Sequence, residues 1–145
     1  VTNVPNADNV AGLHDAELYL VKMDRENATI DLGFKCIDHS VCTISFGKIW
    51  TYRIENIITQ NVVSRILVSN TLRGFGDDLE KTVRWAFSIG NTLFISDEYV
   101  KEYVQRINSG ELLLVYLDPS WGAEVAVIAE VMTVSRVAPA KSDAS

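Results

Sequence analysis

Two places in the chain carry side chains whose types and spacing could do chemistry. His14 precedes Asp15, and an imidazole beside a carboxylate can act as a general base or form half of a metal site. No third partner is evident in the sequence, and the plainer reading is that Asp15 ends the loop entering the first strand while His14 makes a structural hydrogen bond. His39 lies between Cys36 and Cys42, and thiolate and imidazole are zinc ligands. That order supplies three donors without a fourth, and small apolar cysteines on the two arms of a hairpin are ordinary sheet filling. No metal is expected. Nucleophilic catalysis finds no Gly-x-Ser-x-Gly elbow, and neither cysteine has surroundings that would lower its pKa. Arg73-Gly74-Phe75-Gly76 lacks the lysine and the strand-to-helix setting of a phosphate loop, so it reads as a flexible turn. The pairs Asp77-Asp78 and Asp97-Glu98 could hold a cation or share a proton. They read more simply as acids in the first turns of helical segments, where the peptide dipoles favour negative charge.

The elements that would position such groups follow from hydrophobic period. Residues 17–23 read as a strand, residues 24–27 supply a turn, and residues 29–34 alternate again, which makes a hairpin. Residues 41–46, 49–54 and 62–68 continue as three further strands, with Gly47 separating the first two. Residues 82–89 are ambiguous. On a helix, Leu79, Val83, Ala86 and Phe87 share a face but Trp85 and Ile89 are left over. Alternation of Val83, Trp85, Phe87 and Ile89 accounts for every large apolar residue and favours a strand, after one helical turn at residues 77–80. Ser96-Asp97-Glu98 opens a helix, with Val100, Tyr103, Val104 and Ile107 on one face and Gly110 as its stop. Residues 111–117 are a nearly continuous apolar run, hence a strand covered on both faces. Asp118-Pro119-Ser120-Trp121-Gly122 reads as a turn, and residues 123–133 as the closing strand. The class expected is α+β: an antiparallel β-meander sheet with one principal helix packed against it. Residues 1–12 read as a loose N-terminal segment, 13–137 as the single domain and 138–145 as a disordered tail.

Composition narrows the function. The 145 residues are 48% hydrophobic and 22% charged, enough for a core without staples. Nineteen acidic residues against thirteen basic ones give a formal charge of −6, so the electrostatic footprint of a nucleic-acid binder is missing. No apolar run approaches a membrane span and the first residues lack signal-peptide character, so a cytoplasmic location is expected. The charge is segregated. Residues 35–76 hold two acids and five bases, whereas residues 77–145 hold eleven acids and six bases. An acidic C-terminal third can steer a basic partner, or simply keep the surface soluble. Trp121, in a turn beside acids, would make a binding anchor or close the end of the core.

The sequence also resembles small bacterial immunity proteins that accompany polymorphic and contact-dependent growth-inhibition toxins. The matching stretches are Leu13-His14-Asp15-Ala16-Glu17-Leu18, then Asp24 and the strand from Thr29 to Phe34, then Phe46-Gly47 and Gln60-Asn61-Val62-Val63-Ser64-Arg65. Asp118-Pro119-Ser120-Trp121-Gly122-Ala123-Glu124 completes them, so the resemblance spans most of the domain. It implies a non-enzymatic inhibitor that binds the toxic C-terminal domain of a cognate effector in the cytoplasm and occludes its active site. Many such toxins are nucleases with basic grooves. The resemblance assigns no interface residues. Charge and placement select Asp97, Glu98 and Glu102 on the helix, with Asp118, Trp121 and Glu124 at the last hairpin; no catalytic residue, cofactor or metal ligand is expected. The alternative is a small enzyme, a hydrolase with a sheet-lined cleft converging on His14. A structural subunit or adaptor would instead present a large apolar patch or an open edge strand.

Overall fold

A computed structural model describes Val10, residues 12–71 and residues 74–139. The expected loose ends therefore fall largely outside the described residues, as does Arg73. The chain orders its elements as β1 (Glu17–Asp24), β2 (Thr29–Lys35), β3 (Val41–Glu55), β4 (Val62–Val68), a 3-10 turn (Gly76–Asp78), α1 (Leu79–Ala86), β5 (Ser88–Ile89), β6 (Thr92–Leu93), α2 (Asp97–Asn108), β7 (Leu113–Trp121) and β8 (Glu124–Val137). The class is α+β, as the periodicity predicts. Six antiparallel strands in the order β1-β2-β3-β8-β7-β4 curl until Glu17 of β1 pairs with Val62 of β4, which closes a barrel. No described helix is long and apolar enough to cross a membrane.

Alternation along the strands sorts side chains into two cores. Leu18, Ile30, Leu32, Phe34, Ile44, Phe46, Val115, Leu117 and Val127 fill the barrel. The opposite faces of β7 and β8, with Leu114, Ala126 and Ile128, join Val83, Val100 and Ile107 of the helices in a second core outside it. The run 111–117 is thus buried on both faces, as its unbroken hydrophobicity requires.

Three expectations are corrected. Residues 41–46 and 49–54 form one strand, not two, because Lys48 takes φ +50° and a bulge between Ile49 and Thr51 bends β3 without ending its pairing to β8. Residues 79–86 are helical rather than part of a strand. Val83 and Ala86 are buried against the barrel wall, and Trp85, which helical spacing leaves over, lies beneath the Arg53 guanidinium and edge-on to Tyr116. Ile89 is 77% exposed, so no core demanded it. The stretch 118–122 is not all turn: β7 runs on through Trp121, with Pro119 accommodated at a register shift, and β8 extends to Val137.

α2 starts where its sequence says it should. The Ser96 hydroxyl accepts the Tyr99 amide at 3.3 Å, and Asp97 and Glu98 occupy the first turn. Replacing Ser96 with alanine should cost about 1 kcal/mol and lower Tm by about 3 °C, measurable by thermal denaturation.

Candidate functional site

The β7–β8 hairpin end is built around a buried amide. Asn61, 8% exposed, accepts from the backbone N–H groups of Ile58 at 2.9 Å and Ala123 at 3.0 Å, and donates to the Ile58 carbonyl at 2.8 Å. It therefore welds the hairpin tip to the segment joining β3 and β4. Gly122 turns the tip with φ +84°, and Asn61 Oδ1 lies 2.4 Å from the position of an added Cβ. The chain closes here only with glycine. On this rigid mount Trp121 is 63% exposed. It does not close the core, and Ile58, which lies against Gly122, is also exposed, as is its neighbour Ile57.

Carboxylates surround the tip in specific pairings. Asp118 receives the Arg65 Nε–H at 2.9 Å. Glu124 accepts the Tyr116 hydroxyl, and burial first, then that carboxylate, push the phenol well above its ordinary pKa, so it stays protonated and donating. Asp118 and Glu124 are thus near one another, both acting on Tyr116.

The helix carboxylates form a separate group. Asp97 accepts from Arg84 of α1 at 2.7 Å, which holds the guanidinium's pKa above its usual value. Glu98 and Glu102 are exposed on α2 and make no hydrogen bond or ion pair with a described residue, though the charge of Glu102 acts on Arg106. Among the described residues no hydrogen bond or ion pair joins the two groups; a depression of about 370 Å³ lined by Arg84, Trp85, Tyr116 and Glu124 lies between them. Asp97, Asp118 and Glu124 are each hydrogen-bonded by a neighbour within the chain, whereas among the described residues Glu98, Glu102 and Trp121 have no such bond.

The sequence-selected chemistry elsewhere is local. Nδ1 of His14 lies 2.8 Å from the Ser64 carbonyl, the structural role expected of it, and 3.7 Å from Asp15 on an exposed surface. Cys36 and Cys42 are buried free thiols in the barrel core, whereas His39 is exposed at the turn, so the three do not converge. Burial raises the Cys42 thiol's pKa. No described group of three His, Cys, Asp or Glu side chains could hold a metal.

What composition and spacing missed is apolar. A cavity of about 540 Å³ opens beside the β1–β2 turn, walled by Met23, Ile30, Ile49, Trp50 and Tyr52. A second of about 530 Å³ continues along β3 past Val21, Ile54, Ile89 and Phe94, and a third of about 270 Å³ reaches Leu20, Ile57 and Ile58. Met23, Tyr52, Ile57 and Phe94 are each more than two-fifths exposed. The adjacent pair Ile57-Ile58 inside an otherwise polar connection was the one sequence signal for this surface. The chain matches no family model, no curated protein and no solved structure.

Proposed function

We propose that the chain is an immunity-type inhibitor, acting in the cytoplasm, that neutralises the toxic domain of a cognate bacterial effector by covering its active site. The observation that carries this reading is Trp121, 63% exposed on a hairpin tip that Asn61 and Gly122 hold fixed. A large aromatic ring already locked in place loses little conformational entropy on binding, which is the property of an interface hot spot. Ile58 extends the apolar contact, and Glu124, bonded to a neutral phenol rather than to a cation, supplies negative charge at the rim to which a basic nuclease groove is complementary.

The test is co-expression with the toxic domain encoded next to this chain, followed by co-purification and titration. A tight complex should form, protect the cell, and weaken as salt rises. Trp121→Ala should weaken it by about ten- to a hundred-fold while leaving the fold intact. A neighbouring domain that is not toxic, or a complex indifferent to Trp121, sinks the reading.

A further inference from the structure

The barrel wall has a slot. β1 pairs with β2 along its length, but its other edge meets β4 only at Glu17, and the last contact there is the Leu18 amide donating to the Asn61 carbonyl at 2.8 Å. From residue 19 to residue 24 no described strand pairs with that edge. β3 likewise passes beyond the end of β2. Its pairing with β2 stops at Phe46, and the Ile49 amide makes one final bond of 3.4 Å to the Ala28 carbonyl. Residues 51–55 keep β8 on one side and no described strand on the other. β1 runs from the Asn61 end to the Ala28 end, whereas β3 and the segment after it run from Ile49 to Asn61. Two open edges of opposite direction therefore flank one gap, tied shut at each end.

Two mainly apolar cavities and a third, half polar, at the Asn61 end follow this gap, each lined from both banks or from the chain joining them. Its floor is core: Val21, Ile49 and Ile54 pack on the barrel interior. The bulge at Leu18–Leu20, where Gly33 leaves room for the crowded Tyr19 ring and Leu20, swings β1 away from where β4 would meet it. Open edges are normally blunted by charge, proline or a covering loop. Here Asp24, Arg53 and Glu55 stand along the banks, but between them the walls are Met23, Tyr52, Ile54 and Phe94.

We propose that this slot receives an extended peptide segment of a partner protein, which completes the wall by strand addition. An apolar small molecule would match the walls but would displace water from the N–H and C=O groups that no described strand pairs on either bank, and would give them no bond in return. Only another backbone offers donors and acceptors at strand spacing. The six open residues of β1, at about 3.3 Å each, fit a segment of about 20 Å. Such a segment runs antiparallel to one bank and parallel to the other. Alternate side chains enter the mouth over Val21, Ile49 and Ile54, so apolar residues are required there at every second position. At its Asn61 end the slot shares Ile58 with the Trp121 surface, but the inference does not depend on what the partner does.

The test uses the full chain and an array of decapeptides in which each central position is valine, threonine or lysine. Peptides with valine at alternate positions should bind saturably, and the amides of residues 19–24 and 51–55 should shift in NMR spectra and gain protection from exchange. Methylating alternate peptide nitrogens, which removes donors but adds apolar surface, should weaken binding about tenfold or more. Met23→Asp, at a position already 54% exposed, should do likewise without unfolding the chain. An array with no binder, an N-methylated peptide that binds equally well, or an apolar dye that takes the slot and excludes every peptide overturns the proposal. So does a free protein that is already dimeric with these amides protected, since a second copy then fills the gap.

Discussion

Gly122→Ala is expected to destabilise the protein by about 4 kcal/mol and to lower Tm by about 10 °C, a large share of the margin of a domain this size. Two effects add. The residue sits at φ +84°, where a side chain costs about 1–2 kcal/mol. The new methyl would also lie 2.4 Å from Asn61 Oδ1 and 3.1 Å from the Gln60 carbonyl, neither at the end of a long flexible chain. Asn61 must move, and moving it strips the acceptor from the amides of Ile58 and Ala123. Ala123 is 1% exposed, so its orphaned N–H loses its partner without gaining water, at about 1–3 kcal/mol.

Gly110→Ala separates the two contributions. Gly110 has the same φ, +84°, but an added Cβ meets nothing within 4 Å. It should lose only the conformational part, about 1–2 kcal/mol. The gap between the two variants in urea denaturation is the worth of the Asn61 weld. If they lose equal stability, the tip is not held as described and Trp121 has no rigid mount.

The legible part of the fold was the part governed by one local rule at a time. β1, β2, β4 and α2 follow from period and capping, and Ser96, Asp97 and Glu98 mark the helix start to the residue. α1 was not legible because tertiary contacts override its pattern: Trp85 breaks the helical stripe, yet Arg53, 32 positions earlier, provides the cover it needs. The bend in β3 hid for a similar reason. Gly47 looks like a strand end, but the pairing that carries β3 through the bulge comes from β8, some 80 residues on. Of the site, Trp121 and its acids could be chosen from type and position. The pairings that occupy Asp97, Asp118 and Glu124 could not, since Arg84, Arg65 and Tyr116 meet them only in the fold. The slot was illegible because an unpaired edge is a property of what other strands fail to reach.

Arg53→Met should cost about 3 kcal/mol and about 8 °C in Tm, because Arg53 fastens three elements at once. Its side chain is only 10% exposed. Nε donates to Glu55 at 2.8 Å, with a second bond from Nη2 to the same carboxylate; Nη1 donates to the Trp85 carbonyl at 2.9 Å and Nη2 to the Gly90 carbonyl at 3.1 Å. The Trp85 carbonyl belongs to the last turn of α1 and shares the Phe87 amide with the Val83 carbonyl, and Gly90 turns the β5–β6 hairpin. Methionine keeps the stem against the Trp85 ring, which Arg53 covers at 4.3 Å, and removes every donor. Glu55 is about a third exposed and recovers part of its loss from water, which holds the figure below that of a fully buried pair. Arg53→Lys should lose about half as much, since one ammonium cannot span Glu55, Trp85 and Gly90 together. The Phe94 amide, bonded to the Phe87 carbonyl at 3.0 Å, reports on the hairpin and should exchange faster in Arg53→Met than in Arg53→Lys. A methionine variant within about 0.5 kcal/mol of the parent, with Phe94 still protected, would mean that apolar packing alone seats α1 and the hairpin on the barrel, and that the guanidinium is incidental.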